Sequence, residues 1–189
     1  MTTAKGNVFI ISAASGTGKT TLVSRLTAHN PNIRVSISHT TRAPRDNEQH
    51  GKHYYFTTRE HFAELVGQGA FLEHAEVFGN LYGTSAVAVQ EMCAQGLDVI
   101  LEIDVQGAEQ VRKALPEAVS IFILPPSLAV LEQRLRNRQT DNKETIARRL
   151  NEAEQEIRYA FAFDYIVVNN DLVQAEGDLL HIVKAQRLR

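Results

Sequence analysis

Residues 9–21 read FIISAASGTGKTT and decide the fold of this chain. The apolar residues 8–11 predict a buried parallel strand, the small residues 12–18 predict a turn, and residues 19–28 predict a helix. In such an arrangement the backbone N–H groups of the turn point inward, and the helix N-terminus adds partial positive charge. The stretch therefore predicts a site for the phosphates of a nucleotide, and the alternative is an incidental glycine turn.

Two side chains at the end of this turn are suited to binding a nucleoside triphosphate and its metal ion. Lys19 would reach the outer phosphates of a nucleoside triphosphate, and the Thr20 hydroxyl would ligate Mg²⁺. The usual motif has a glycine at position 13, where this chain has Ala13. A methyl group is tolerated there if the backbone φ is negative, so we expect phosphate binding to be kept. The residues predicted to line the cradle are Ala13, Ala14, Ser15, Gly16, Thr17, Gly18, Lys19, Thr20 and Thr21.

The composition predicts one soluble, cytoplasmic domain. With 189 residues, 43 % of them hydrophobic, the chain can bury one substantial core. A net charge of −2 gives no global basic field, so we expect no nucleic-acid partner. We expect no membrane contact, because no apolar run approaches the ~20 residues of a membrane span and the N-terminus lacks an apolar signal core. The single cysteine, Cys93, suits a reducing compartment and is expected to pack on a buried helix face.

Apolar runs alternate with amphipathic stretches along the chain, which predicts an α/β fold. The further buried strands are predicted at residues 97–103, 119–124 and 165–168. Residues 38–51 are polar and are interpreted as a surface loop, and residues 52–57 are interpreted as a strand.

Two acids, Glu102 and Asp104, end the predicted strand at residues 97–103. Ligands of open α/β sheets bind at the carboxyl ends of the strands, so these acids should share an edge with the phosphate cradle. Alternation along the strand points both toward the same face. A carboxylate there can hold Mg²⁺ through water or orient a basic group, and the alternative is a charged strand exit.

The polar loop carries Arg42 and Arg45, three residues apart and stiffened by Pro44. Two such guanidinium groups can converge on one phosphate with bidentate geometry, although a solvated loop is the alternative interpretation. Tyr54 and Tyr82 would add neutral hydroxyl donors to the same phosphate. These residues predict an anion site beside the cradle.

Glu73 points to a particular base. It lies within AFLEHAEVFGN, residues 70–80, where a carboxylate among apolar neighbours needs a partner. Guanine presents N1–H and N2–H₂ as adjacent donors, and one carboxylate accepts both, whereas adenine presents an acceptor at N1. A buried polar reader of this kind can discriminate by about 10⁴-fold or more.

Further arginines flank the turn at residues 139–142. Arg134 and Arg138 are four residues apart and share a helix face. Positive side chains on a mobile cover would neutralise charge on a transferring phosphoryl group, an effect of about 10³ to 10⁵ in rate for an arginine finger. The alternative is a solvated helix face on which the arginines pair with Glu132, Glu144 and Glu152.

These residues lie in blocks that resemble guanylate kinase. The blocks run in order from residue 8 almost to the C-terminus and read SAASGTGKTTL, SHTTRAPR, GKHYYF, FLEHAEVFGNLYGTS, LEIDVQGA, IFILPPS, IARRL and IVVNNDL. The resemblance implies a P-loop NTPase-type parallel sheet flanked by helices, with a strand-rich GMP-binding insertion and a helical lid. The implied boundaries are about 1–37, 86–125 and 164–189 for the core, 38–85 for the insertion and 126–163 for the lid.

The resemblance also implies an activity and its residues. The activity is transfer of the ATP γ-phosphoryl group to GMP, and also to dGMP, with Mg²⁺ as cofactor. Contacts to the guanine edge are implied for Ser38, Glu73 and Thr84. Contacts to the GMP phosphate are implied for Arg42, Arg45, Tyr54 and Tyr82, with Glu102 and Asp104 at the strand exit. ATP contacts are implied for the cradle, Arg134, Arg138 and Asn169, and the implied catalytic residues are Lys19, Arg42, Arg134, Arg138 and Arg149.

Two other functions fit parts of this pattern. The first is a P-loop kinase for another monophosphate or for a sugar phosphate, against which Glu73 and its block argue. The second is a non-catalytic module of the same fold that binds a phosphorylated partner. Such a module could dispense with Lys19 and the lid arginines, which this chain keeps.

Overall fold

The computed structural model describes residues 5–137 and 143–189. The strands are β1 (Val8–Ala13), β2 (Ile33–Val35), β3 (His39–Thr40), β4 (Tyr55–Phe56), β5 (Phe71–Val77), β6 (Asn80–Ser85), β7 (Asp98–Glu102), β8 (Val119–Leu124) and β9 (Tyr165–Val168). The α-helices are α1 (Lys19–His29), α2 (Arg59–Gly67), α3 (Ala86–Ala94), α4 (Val105–Ala114), α5 (Leu128–Asn137), α6 (Lys143–Arg158) and α7 (Leu172–Gln186). A short 3₁₀ helix, Tyr159–Ala162, follows α6.

The main sheet is parallel, which confirms the predicted α/β fold. Its strand order is β2-β7-β1-β8-β9, so β1 lies in the centre between the other two long buried strands. The apolar runs of β1, β7 and β8 are buried because helices cover both faces of the sheet. The Ser12 hydroxyl donates to the Ile103 carbonyl over 2.8 Å and ties the ends of β1 and β7 together.

Two hydrophobic clusters fill the space between this sheet and its helices. One contains Phe9, Leu22 and Leu179 and lies against α1 and α7. The other contains Ile10 and Cys93 and lies against α3 and α4. Cys93 is buried in that second cluster, as predicted from its helix position. The carboxyl end of β1 is thereby held in place from both faces of the sheet.

A second sheet has the order β4-β3-β6-β5 and is built within residues 39–85. The interpretation of residues 38–51 as a surface loop was wrong at His39 and Thr40, which form β3. Thr40 is completely buried because β3 pairs with both β4 and β6. The strand predicted at residues 52–57 shrinks to the two residues of β4, since a turn occupies residues 51–53.

The helices of the described ranges do not include one that is both long and apolar enough to cross a bilayer. The charged stretch predicted as a helix or helical pair at 141–163 contains α6 and the 3₁₀ helix, and residues 141 and 142 lie outside the description.

Candidate active site

The P-loop, residues 13–19, joins β1 to α1. Gly16 and Gly18 have φ values of 87° and 99°, in the left-handed region that favours glycine. A methyl group on Gly16 would lie 2.8 Å from Leu135 Cδ2, and one on Gly18 would lie 2.6 Å from Asn169 Nδ2. Both glycines are therefore required for backbone conformation and for close packing.

Ala13 meets the backbone condition set by its methyl group. It is the last residue of β1 and pairs with Ile123 of β8. Among the non-glycine residues that the structure describes, only Phe78 has a positive φ. Ala13 thus extends the strand without strain in the place of the usual glycine.

Arg134 and Asn169 brace the P-loop from outside. The Thr17 carbonyl accepts hydrogen bonds from Asn169 Nδ2 at 2.8 Å and from Arg134 Nη1 at 3.1 Å. Arg134 Nη2 also donates to the Asn169 carbonyl over 3.1 Å. The alternative interpretation of a solvated helix face therefore does not hold for Arg134, and the Asn169 amide is directed to the loop backbone.

A first cavity of ≈ 280 Å³, the P-loop cleft, lies over the loop and the first turn of α1. Its lining residues are Ala13, Ala14, Ser15, Gly16, Gly18, Lys19, Thr20, Thr21 and Glu156. All but Glu156 were predicted to line a phosphate cradle. Thr20 and Thr21 are exposed there, so their hydroxyl groups are accessible to a ligand.

Glu156 reaches the P-loop cleft from α6 and was not predicted. Burial, together with the negative charges of Asp104 and Glu152, raises the pKa of its carboxyl group to about 7. Lys19 and a hydrogen bond from the Ser15 N–H act in the opposite direction. A carboxyl group thus lies against the same backbone donors that the sequence assigned to phosphate.

A second cavity of ≈ 470 Å³, the insertion cleft, lies between the main sheet and the second sheet. Its lining residues are Ala13, Ser15, Lys19, Ser38, Arg45, Tyr54, Glu73, Ala75, Val77, Phe78, Tyr82, Glu102, Ile103, Asp104 and Arg149. The volume is in the range of small-molecule sites. The two clefts share Ala13, Ser15 and Lys19, so they meet at the Lys19 side chain.

Lys19 and Glu102 face each other where the clefts meet. Lys19 Nζ lies 4.0 Å from Glu102 Oε2, and both side chains are mostly buried. Burial lowers the pKa of Lys19, while Glu102 acts against that shift. The same burial raises the pKa of Glu102, opposed by Lys19. Each group therefore opposes the loss of charge that burial favours in the other.

Glu73 closes the far end of the insertion cleft. A β-bulge between Phe71 and Glu73 interrupts the pairing of β5 with β6 and sets Glu73 opposite Thr84. The Thr84 hydroxyl donates to Glu73 Oε1 over 2.5 Å. Burial raises the pKa of Glu73 to about 7, and Asp104 adds to the shift. A base that donates two hydrogen bonds would satisfy this carboxylate.

Arg42 and Arg45 occupy different environments in the loop. Arg45 lines the insertion cleft, whereas Arg42 Nη2 donates to both carboxylate oxygens of Glu48 at 2.8 and 2.9 Å. The Arg42 guanidinium holds the pKa of Glu48 below its usual range. It also lies 5.4 Å from the centre of the Tyr54 ring. Of the two arginines, Arg45 is the one that reaches the cavity in this structure.

The remaining arginines of the predicted lid also differ. Arg149 of α6 lines the insertion cleft. Arg148 Nε lies 3.8 Å from Glu152 on the exposed helix surface, in agreement with the alternative interpretation of a solvated helix face. Arg136, which the sequence did not single out, pairs with Glu132. Arg138 lies outside the described residues.

Sequence reasoning missed Glu48, Glu156 and the apolar wall formed by Ala75, Val77 and Phe78. The position of Glu48 in a loop with two arginines was a usable signal for an ion pair. The part of the wall formed by Ala75 and Val77 could have been predicted from alternation along β5, because residues 73, 75 and 77 share a face of the strand. Glu156 gave no signal, since it is one of several acids on a charged helix.

Comparison with known proteins agrees with this geometry. A family model described as Guanylate kinase matches residues 5–186. A guanylate kinase of Neisseria gonorrhoeae (strain ATCC 700825 / FA 1090) is 64 % identical over 185 residues, 98 % of this chain and 90 % of that protein. A guanylate kinase of Pseudomonas fluorescens (strain Pf0-1) is 53 % identical over 189 residues, 100 % of this chain and 92 % of that protein. The crystal structure of guanylate kinase from Anaplasma phagocytophilum is 35 % identical with a TM-score of 0.81, covering 100 % of this chain and 90 % of that chain. This chain therefore belongs to the guanylate kinase family.

Proposed function

We propose that this chain, as a member of the guanylate kinase family, transfers the γ-phosphoryl group of ATP to GMP and yields ADP and GDP. The observation that carries this function is the junction of the two clefts at Lys19. A donor in the P-loop cleft and an acceptor in the insertion cleft would present their phosphates to the same ammonium group. The acceptor class includes dGMP, and the reaction recycles purine nucleotides.

The donor side uses the P-loop. Its backbone N–H groups and the positive end of α1 would hold the ATP phosphates, and Lys19 would contact the outer ones. Mg²⁺ bound beside the P-loop would neutralise charge that develops during transfer. The exposed Thr20 hydroxyl in the first turn of α1 fits a role as its protein ligand. The described residues contain no cluster of three or more acids, histidines or cysteines placed to hold a metal, so phosphates and water would complete the shell.

The acceptor side uses the insertion cleft. Glu73, with Ser38 and Thr84 beside it, would accept the guanine N1–H and N2–H₂ donors. Arg45 and the Tyr54 and Tyr82 hydroxyl groups would hold the GMP phosphate as the in-line nucleophile. Arg42 would join them if its pair with Glu48 opens.

The lid would complete the site. Arg149 enters the insertion cleft from α6, and its guanidinium would stabilise charge on the transferring group. Closure also excludes water, which would otherwise compete with GMP for the phosphoryl group. The role of Arg138 as a second lid arginine remains a prediction from the sequence, whereas Arg134 would act through the P-loop backbone that it braces.

A coupled assay for ADP release tests this function with GMP, AMP, CMP and UMP as acceptors. We expect turnover with GMP and only background rates with the other three. Turnover with AMP and none with GMP would remove the guanine assignment. Absence of turnover with every acceptor, combined with binding of a phosphopeptide, would instead support the non-catalytic module.

Glu156 makes ATP binding dependent on pH. At pH values above its pKa of about 7, Glu156 is mostly a carboxylate, and it would repel the anionic triphosphate held by the loop. ATP binding is therefore expected to be accompanied by proton uptake at Glu156. We expect the Kd for ATP to rise by about tenfold between pH 6 and pH 8. In the Glu156→Gln variant the titration of ATP itself is unchanged, so a flatter profile reports Glu156 alone.

Calorimetric titrations at several pH values measure this effect. Glu154→Gln, on the same helix and exposed, is the matched control and should keep the wild-type profile. Parallel profiles for wild type and Glu156→Gln would show that Glu156 does not oppose the nucleotide.

A further inference from the structure

Helix α4 contacts β5 through a side-chain amide. Gln110 Oε1 accepts the His74 N–H at 3.2 Å, and Gln110 Nε2 donates to the His74 carbonyl over 2.9 Å. Strand β5 is an edge of the second sheet. The amide therefore pairs with backbone groups that no neighbouring strand covers, immediately after Glu73.

Gly107 brings the same helix against the Glu73 side chain. A methyl group on Gly107 would lie 2.6 Å from Glu73 Oε2 and 3.2 Å from its carboxyl carbon. Glycine inside a helix costs about 0.5–1 kcal/mol relative to alanine. Gly107 is buried beneath this carboxylate, so the missing side chain lowers helix stability but allows the close contact with Glu73.

These two contacts share one face of α4, since Gly107 and Gln110 are three residues apart. The helix starts directly after β7, and its N-cap Asp104 accepts the Gly107 N–H at 2.8 Å. Asp104 lines the insertion cleft together with Glu102. One rigid segment thus connects the acids at the main sheet edge to the carboxylate of the second sheet.

We propose that Gly107 and Gln110 are positioning residues that hold Glu73 at a fixed place relative to the Lys19 junction. This inference rests on the proposed function, in which Glu73 reads guanine. Thr84 of β6 holds the Glu73 Oε1 atom, but the bulge next to Glu73 leaves the pairing of β5 irregular there, and Oε2 lies on the side of α4. Gln110 holds the backbone immediately after Glu73. The absence of a side chain at Gly107 sets how closely the Glu73 carboxylate approaches α4.

The two residues are tested by steady-state kinetics with GMP and ATP varied separately. Gln110→Met keeps the side-chain length and removes both hydrogen bonds. We expect it to raise KM for GMP about tenfold while KM for ATP stays within about twofold. Gly107→Ala displaces the carboxylate directly, and we expect about 100-fold lower kcat/KM for GMP. Glu109→Gln, on the exposed side of α4, is the matched control and should leave both KM values unchanged.

A double-mutant cycle separates positioning from general stability. If both residues act through Glu73, their effects on GMP kcat/KM should largely disappear in a Glu73→Gln background. Thermal melting of each variant records any loss of stability independently. Equal increases in the two KM values, or undiminished losses in the Glu73→Gln background, would overturn the positioning role while GMP turnover by the wild type still supported the proposed function. A wild-type protein inactive with GMP would remove both.

Discussion

Glu73→Gln is expected to reduce kcat/KM for GMP by about 10³- to 10⁴-fold while the affinity for ATP is kept. In the proposed function the carboxylate would accept two guanine donors, whereas a glutamine amide offers one acceptor and would set an N–H₂ group against the other donor. An unpaired donor in a buried site bears its full desolvation cost. ATP is expected to bind in the P-loop cleft, so its Kd should not change.

The same substitution is expected to stabilise the folded protein. The pKa of Glu73 is raised from 4.5 to about 7, so the folded state binds this proton more tightly than the unfolded state does. The free energy of unfolding therefore falls as pH rises from about 4.5 to about 7. At 1.36 kcal/mol per pKa unit, the shift corresponds to about 3 kcal/mol above neutral pH. Glutamine does not ionise, and Thr84 can still donate to its side-chain oxygen.

Acceptor-varied kinetics and thermal melts at pH 5 and pH 8 measure both effects. We expect the Tm of Glu73→Gln to exceed that of the wild type at pH 8, with a smaller difference at pH 5. Glu76→Gln is the matched control, because Glu76 is exposed on β5. An unchanged GMP rate in Glu73→Gln would remove Glu73 from the base site, and a lower Tm at pH 8 would contradict the assigned burial cost.

The main sheet could be predicted because its signals are local. Strands β1 and β8 are apolar apart from one serine each, and burial on both faces of a parallel sheet favours that composition. Strand β3 could not be found in this way. It has two residues, and the burial of Thr40 depends on partners in β4 and β6 that are distant in the sequence.

The candidate site likewise contains residues that could be predicted from the sequence and residues whose contacts could not. Glu73 was identifiable because a carboxylate in an apolar segment requires a partner. The orientations of Arg134 and Asn169 were not, since both bind the Thr17 carbonyl and nothing in their own segments indicates that contact. Glu156 likewise meets the P-loop only because α6 folds back over it. Residue type predicted many of the groups that line the two clefts, whereas tertiary packing decided what each one touches and added Glu156.

Lys19→Met is expected to lower kcat by about 10³-fold or more, because it removes an ammonium group that both clefts share. The substitution has a second effect. Glu102 loses the cation 4.0 Å away that opposes the rise of its pKa, and a mostly buried carboxylate then faces the incoming triphosphate. ATP binding should therefore weaken by more than the loss of the lysine contacts alone.

The double variant Lys19→Met/Glu102→Gln separates these two effects. Neutralising Glu102 removes the repulsion of the triphosphate but does not replace the charge that stabilises the transferring phosphoryl group. We therefore expect the double variant to recover part of the ATP affinity while kcat stays at the level of Lys19→Met. Calorimetric Kd values for ATP and single-turnover rates measure the two quantities independently.

Recovery of kcat would mean that the repulsion from Glu102, and not the missing ammonium group, had limited the reaction. A Kd identical in both variants would instead show that Glu102 does not sense the phosphates, so its pairing with Lys19 would serve only to keep that lysine charged and in place.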